Sequence, residues 1–177
     1  VSFAVRARVT LLRDLGSALS PDNAFGIIQG LETVALRMKQ HCSNASKVVD
    51  YLKKNKEITK VIYPTEHDSK IVNRAKKYLN GGNGGLVGIE LKGGIEAGKR
   101  FIESLKMFYH VANIGDARSL AIHPATTTHS QLTDKELLAS GVTPGYVRLC
   151  IGIEHIDDII EDLDQALNKS SKGNLKA

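Results

Sequence analysis

Each helical segment of this sequence carries a single apolar stripe, and a helix of that kind can bury only one side. The longest stripe runs Phe25, Ile28, Leu31, Ala35, Met38, Cys42, Ala45, Val49 and Leu52, at three- and four-residue spacing. Ser20-Pro21-Asp22 opens it. Serine is a favoured N-cap, proline suits the first turn, and aspartate complements the positive helix end. The spacing predicts one helix of about eight turns, a length suited to bridging two domains. Ile58–Tyr63 is predicted as a strand ended by Pro64, and Ser69–Leu79 as a helix stopped by the Gly81–Gly85 cluster. Leu86–Leu91 reads as a strand with Val87, Ile89 and Leu91 on one face. Gly94–Met107 is a further amphipathic helix, with Ile95, Phe101, Ile102 and Leu105 inward. Short strands at Phe108–Val111 and Ser119–Ile122 flank a loop that begins at Asn113. Thr133-Asp-Lys-Glu136 is a capping box opening a short helix that Gly141 closes. Tyr146–Ile151 is the last strand, and Ile156, Ile159, Ile160, Leu163 and Leu167 mark the final helix.

Single-striped helices interleaved with short strands imply a mixed α/β (α+β) fold. The expected form is an open, mostly antiparallel sheet of four to five strands, with helices layered on one face and the long bridging helix in front. The opposite face then needs a cover, because large bare apolar patches are rare on monomers. At 177 residues the chain can build one proper core but not two full-sized domains. An aromatic content of 5% with no Trp makes that core aliphatic. The expected organisation is an arm over residues 1–54, a compact unit over 55–169 and a polar tail over 170–177. The chain opens Val1-Ser-Phe-Ala in mid-pattern, with no initiator Met and no charged-then-apolar leader, as an internal fragment would.

Several function classes fall away. The net charge of +5, from 24 basic and 19 acidic residues, is scattered along helices that also carry acids, so no nucleic-acid partner is expected. No apolar run approaches the roughly 20 residues that cross a bilayer, so no membrane partner is expected. Cys42 and Cys150 are distant, and the six histidines lack ligand spacing, so no metal is expected. Two such cysteines suit a reduced, cytoplasmic chain, with one disulfide between them as the alternative.

Arg148 is the foremost candidate for binding. Val147, Leu149 and Ile151 point one way along the last strand, so Tyr146, Arg148 and Cys150 point the other, away from the helices. A guanidinium there offers planar, bidentate donors to a carboxylate; an ion pair with Glu154 or Asp116 is the competing reading. In the Asn113–His129 segment, Thr126, Thr127 and Thr128 crowd hydroxyls beside His129. Nucleophilic catalysis would further need an orienting group and an oxyanion hole, so a satisfied turn network is the better reading. Gly81–Gly85 lacks the lysine of a phosphate loop and precedes a strand, so it is a turn. Arg13-Asp14 is, by itself, a surface ion pair.

The ordered set Leu12-Arg-Asp-Leu-Gly16, Ser20-Pro-Asp-Asn-Ala24, Gly30-Leu-Glu-Thr33, Leu36-Arg-Met38, His41-Cys42, Ile89-Glu-Leu-Lys-Gly-Gly94, Asn113-Ile-Gly-Asp116, His123-Pro-Ala125, Thr128-His129 and Arg148-Leu resembles the bridging region and C-terminal domain of the pyridoxal-phosphate enzymes of cysteine and methionine metabolism. The likeness spans about Leu11 to Leu167, and its wording is most similar to the O-acetylhomoserine sulfhydrylase branch. The resemblance implies that Arg148 grips the α-carboxylate of an amino-acid substrate with Asn113 helping, and that Thr128 lines the same site. It implies that Arg13 and Asp14 wall a neighbouring subunit's active site in a homodimer or homotetramer. It further implies an enzyme of methionine biosynthesis that joins O-acetylhomoserine to sulfide or a thiol. The family's cofactor-bearing lysine lies in a Ser-x-Thr-Lys context that this sequence lacks. No catalytic or cofactor-holding residue, and no turnover, is therefore expected from this chain by itself. Cystathionine γ-synthase, cystathionine lyase or methionine γ-lyase of the same family is the alternative, and a non-catalytic binding or assembly module is the alternative of another class.

Overall fold

The structure, a computed structural model, describes residues 1–171 and divides into two compact units, Val1–Leu36 and Arg37 onward. In the first unit, helix α1 (Ser2–Arg6) runs into a π-helical stretch (Ala7–Leu12) and helix α2 (Arg13–Leu15), which Gly16 ends in the left-handed region at φ 69°. Helix α3 (Pro21–Glu32) starts where the capping pattern predicts, with Ser20 Oγ accepting from the Asn23 amide at 3.2 Å. The single long helix is interrupted at Thr33, whose φ of −106° and ψ of 1° leave the helical region. A β-branched residue shortly after Gly30 is a weak point in a helix. Helix α4 (Val34–Leu52) continues beyond it. No residue of the first unit is buried, and Phe25, Ile28 and Leu31 stay 65%, 54% and 61% exposed.

The second unit is built on strands β1 (Ile58–Ile62), β2 (Leu86–Leu91), β3 (Leu120–Ile122) and β4 (Tyr146–Cys150), in the order β1-β2-β4-β3 with every pair antiparallel. The open antiparallel sheet expected from the sequence is the one observed. Val87, Ile89 and Leu91 of β2 and Val147 and Leu149 of β4 face one way. They pack on Val48, Val49 and Leu52 of α4, Phe101 of helix α6 (Gly94–Ser104), and Ile159 and Leu163 of helix α8 (Ile156–Ser171). Each such fully buried side chain contributes about 1.5–3 kcal/mol. The second half of α4 supplies part of this interior, and the two compact units meet after Leu36. Helix α5 (Ser69–Tyr78) lies apart from this layer, alongside the other sheet face. Helix α7 (Asp134–Ala139) begins with the predicted capping box of Thr133 and Glu136.

Two boundaries differ from the sequence expectation for one shared reason. The helix expected to reach Met107 stops at Ser104, and the strand expected at Phe108–Val111 is a single parallel bridge, Tyr109 to Leu120. The buried Asp162 carboxylate of α8 accepts the amides of Lys106 (2.9 Å), Met107 (2.8 Å) and Phe108 (3.2 Å). Those donors are satisfied by a side chain and are unavailable to a helix or a ladder. Polar pins elsewhere act alike. Asn44 Nδ2 donates to the carbonyls of Gly152 (3.0 Å) and Glu154 (2.9 Å), and His41 Nδ1 donates to the Ile151 carbonyl (2.7 Å). Ser170 and Ser171, expected in the polar tail, are helical, and the Ser170 carbonyl accepts from Arg100 Nη2 at 3.0 Å. Residues 172–177 of that tail lie outside the described residues.

Replacing Asp162 by Ala strands three amides, one buried and two part-buried. The expected loss is about 3 kcal/mol. It is read as a lower urea midpoint with an unchanged denaturant slope.

Candidate functional site

The register of β2 and β4 pairs Gly88 with Arg148 and Val87 with Leu149. Since facing residues share a side, Gly88, Tyr146, Arg148 and Cys150 all lie on the face that α4, α6 and α8 leave uncovered. Gly88 is needed there: a Cβ on it would sit 2.8 Å from Tyr146 Cε2 and 3.1 Å from Ile62 Cβ. Without one, the strand lets Tyr146 lie over it. Between this face and α5 runs a groove of about 630 Å³, walled by Ile62, Ile71, Tyr78, Leu86 and Tyr146 and bordered by Arg74 and Arg148. No acidic side chain lines it.

Arg148 is half-buried and, among the described residues, pairs with no carboxylate. Its Nε is buried without a hydrogen-bond partner, and its Nη2 donates to the Asn113 carbonyl at 3.4 Å. The same carbonyl accepts the Cys150 thiol at 2.9 Å. Burial pushes the Cys150 thiol up, against the opposing pull of Arg148, and burial also raises the Tyr146 phenol. The acids that could have closed a structural ion pair are occupied. Glu154 accepts the amide of Ser119 (2.6 Å) and its hydroxyl (2.9 Å), and Asp116 accepts the amide (3.0 Å) and Nε (3.4 Å) of Arg118. A guanidinium held this way lacks a counter-charge, and its planar donors match the geometry of a carboxylate.

Asn113 meets Arg148 through its backbone; its side-chain oxygen accepts from the Ile114 amide at 2.8 Å. Thr128 is exposed and its hydroxyl pairs with His129 Nδ1 at 2.8 Å, and neither Thr128 nor Asn113 lines the groove. Arg13 Nε donates to Asp14 Oδ1 at 2.9 Å, an exposed pair within the first unit. His123 is fully buried, with Nε2 donating to the Pro144 carbonyl (2.9 Å) and Nδ1 meeting Thr126 Oγ1 (2.9 Å). Its ring lies against Gly98, where a Cβ would come within 2.5 Å of Nε2. The threonine segment is thus the satisfied turn network that its residue types predict. The sequence reading missed Arg74 and the groove itself. The readable signal was α5, which carries Lys70, Arg74, Lys76 and Lys77 and no acid.

Among the described residues no set of three His, Cys, Asp or Glu side chains could hold a metal ion, and no helix is long and apolar enough to cross a membrane. Pyridoxal phosphate needs a lysine amine for its aldehyde. None of the described lysines lines the groove or the smaller pocket of Met38, His41 and Cys150 beside it, so the residues of this chain do not fit that group by themselves.

The sheet thus presents, opposite its main helical layer, an arginine with no acidic partner among the described residues. The family model for Cys/Met metabolism PLP-dependent enzymes matches residues 2–168, and the chain belongs to that family. It is 54% identical over 168 residues to an O-acetyl-L-homoserine sulfhydrylase of Leptospira meyeri, covering 94% of this chain and 38% of that protein. It is 43% identical over 168 residues to an L-methionine gamma-lyase of Fusobacterium nucleatum subsp. polymorphum, covering 94% and 42%. Its fold superposes with a TM-score of 0.86 and 44% identity on a Campylobacter jejuni protein described as an O-acetylhomoserine (thiol)-lyase, covering 94% of this chain and 40% of that one. That crystal structure contains N'-pyridoxyl-lysine-5'-monophosphate. The chain therefore spans about two fifths of the length of these relatives.

Burial holds His123 neutral and lowers its pKa below 6.5. A base depressed by folding stabilises fully above its unfolded pKa and loses that contribution as pH falls through the folded value. Stability should therefore drop as pH is lowered below about 6.5, and His123→Gln should flatten that limb in urea titrations at successive pH values.

Proposed function

We propose that this chain is the substrate-binding portion of a pyridoxal-phosphate-dependent O-acetylhomoserine sulfhydrylase, in which Arg148 holds the α-carboxylate of the amino-acid substrate. The observation that carries the reading is the Arg148 guanidinium, turned to the face opposite α4, α6 and α8 with a buried, unpaired Nε and no carboxylate partner among the described residues. The Asn113 carbonyl steadies the guanidinium, and the Asn113 amide nitrogen stays available to the same ligand. Thr128 lines the site once the substrate and the rest of the enzyme enclose it. Cys150 fastens the Asn113 loop beneath Arg148 and takes no part in proton transfer. The chain's contribution is binding and orientation, which lowers a barrier by fixing the geometry of approach.

In this reading residues 1–54 are the end of a larger cofactor domain with its bridging helix, and residues 55–169 are the substrate domain into which α4 packs. The bare apolar stripe of α3 supports association in a homodimer or homotetramer of a cytoplasmic enzyme, where Arg13 and Asp14 face a neighbouring active site. Pyridoxal phosphate supplies the electron sink for the chemistry when the full enzyme binds it. The likeness to an L-methionine gamma-lyase keeps elimination from a sulfur amino acid as the second reading.

Expressed from the complete reading frame that carries this chain, Arg148→Gln should lower kcat/KM for O-acetylhomoserine by about 100-fold, mainly through KM, with Arg148→Lys intermediate. An unchanged KM removes the carboxylate role, and methanethiol release from methionine with no sulfide-dependent product selects the second reading. The 177-residue chain mixed with pyridoxal phosphate should develop no near-visible absorbance band that borohydride fixes to one lysine. Such a band would show that the chain holds the cofactor unaided.

A further inference from the structure

The groove described above is lined by Arg148 on one side and by α5 on the other, and the α5 wall is unexplained by carboxylate capture at β4. α5 presents Ile71, Tyr78 and the following Leu79 to solvent at 39%, 68% and 44% exposure, and Leu86 of β2 is 39% exposed opposite them. Four such residues around one concavity form the kind of apolar patch that marks a binding surface. Its charge is one-sided. Arg74 borders the groove with no acidic partner among the described residues, His67 also lines it, and Lys70, Lys76 and Lys77 continue the basic helix. The acid closest in sequence, Asp68, is turned to the helix N-terminus and accepts the Ile71 amide at 3.0 Å. Apolar walls with cations at the border and no acid complement a ligand that is apolar along its length and negative at one end.

We propose that this groove is a second binding site, for a small amphiphilic anion such as a medium-chain carboxylate. Arg74 takes the carboxylate at the helix side, and the chain lies between Ile71 and Tyr78 of α5 and Ile62 and Leu86 of the sheet. Gly88 keeps the groove deep, because any side chain there would collide with Tyr146 and Ile62 at the sheet floor. The site does not depend on Arg148 binding an amino acid, since its charge is met from α5. Its ligand needs no α-amino group.

The test uses the 177-residue chain, with octanoate as probe and octan-1-ol, octylammonium and acetate as controls, followed by amide chemical shifts in a two-dimensional NMR titration. Octanoate should shift α5, β1 and β2 amides saturably, and each control should bind at least about fivefold more weakly. Arg74→Gln should weaken octanoate about fivefold. Ile71→Ser should weaken it as well, while both variants keep the wild-type spectrum elsewhere. Equal binding of octanol and octanoate would reduce the site to an apolar crevice, and equal binding of acetate would reduce it to surface charge. Either result overturns the proposal, as does octanoate binding that Arg74→Gln leaves unchanged.

Discussion

The two-residue alternation of β4 governs the molecule. Val147 and Leu149 are fully buried against α4, α6 and α8, and that burial forces Tyr146, Arg148 and Cys150 to the opposite side. A register slip by one residue would place a guanidinium in the aliphatic core and two branched apolar side chains outside. The desolvation of an unpaired charge would exceed anything such a slip could recover. The same packing that stabilises the sheet therefore turns Arg148 to the opposite face, where the candidate site lies. Core and site are two faces of one strand.

Around that strand, connections are held by polar side chains that reach from helices into loops. Asp162 gathers three successive amides, Asn44 spans two carbonyls, Glu154 clasps both the amide and hydroxyl of Ser119, and His123 ties its own turn to Pro144. Each satisfies backbone or side-chain groups that burial would otherwise leave unpaired at a cost of about 1–3 kcal/mol. These pins have a consequence for the binding face. With Glu154 and Asp116 engaged elsewhere, Arg148 is left without a carboxylate partner among the described residues.

The first unit presents a different balance. Ser20 caps α3, yet none of the unit's residues is buried, so its helices gain little from their own packing. Propensity and caps alone leave helices of this length marginal. An apolar stripe exposed along α3 is stabilised only by a surface that covers it, which agrees with a chain spanning about two fifths of its relatives.

Much of this was legible in the sequence because it depends on local periodicity. The strand at Leu86–Leu91, the Ser20 cap, the Thr133–Glu136 box and the outward direction of Arg148 follow from spacings of two, three or four residues, which backbone geometry converts directly into faces. The end of α6 at Ser104, the reduction of the Phe108 strand to one bridge, and the groove beside α5 could not be read that way. They depend on Asp162 meeting amides 54 to 56 positions away and on α5 lying along the uncovered sheet face. The sequence by itself determined which residues share a face, because alternation is a property of the backbone. Only the tertiary structure decided which distant groups satisfy one another, because that requires the chain to have closed on itself.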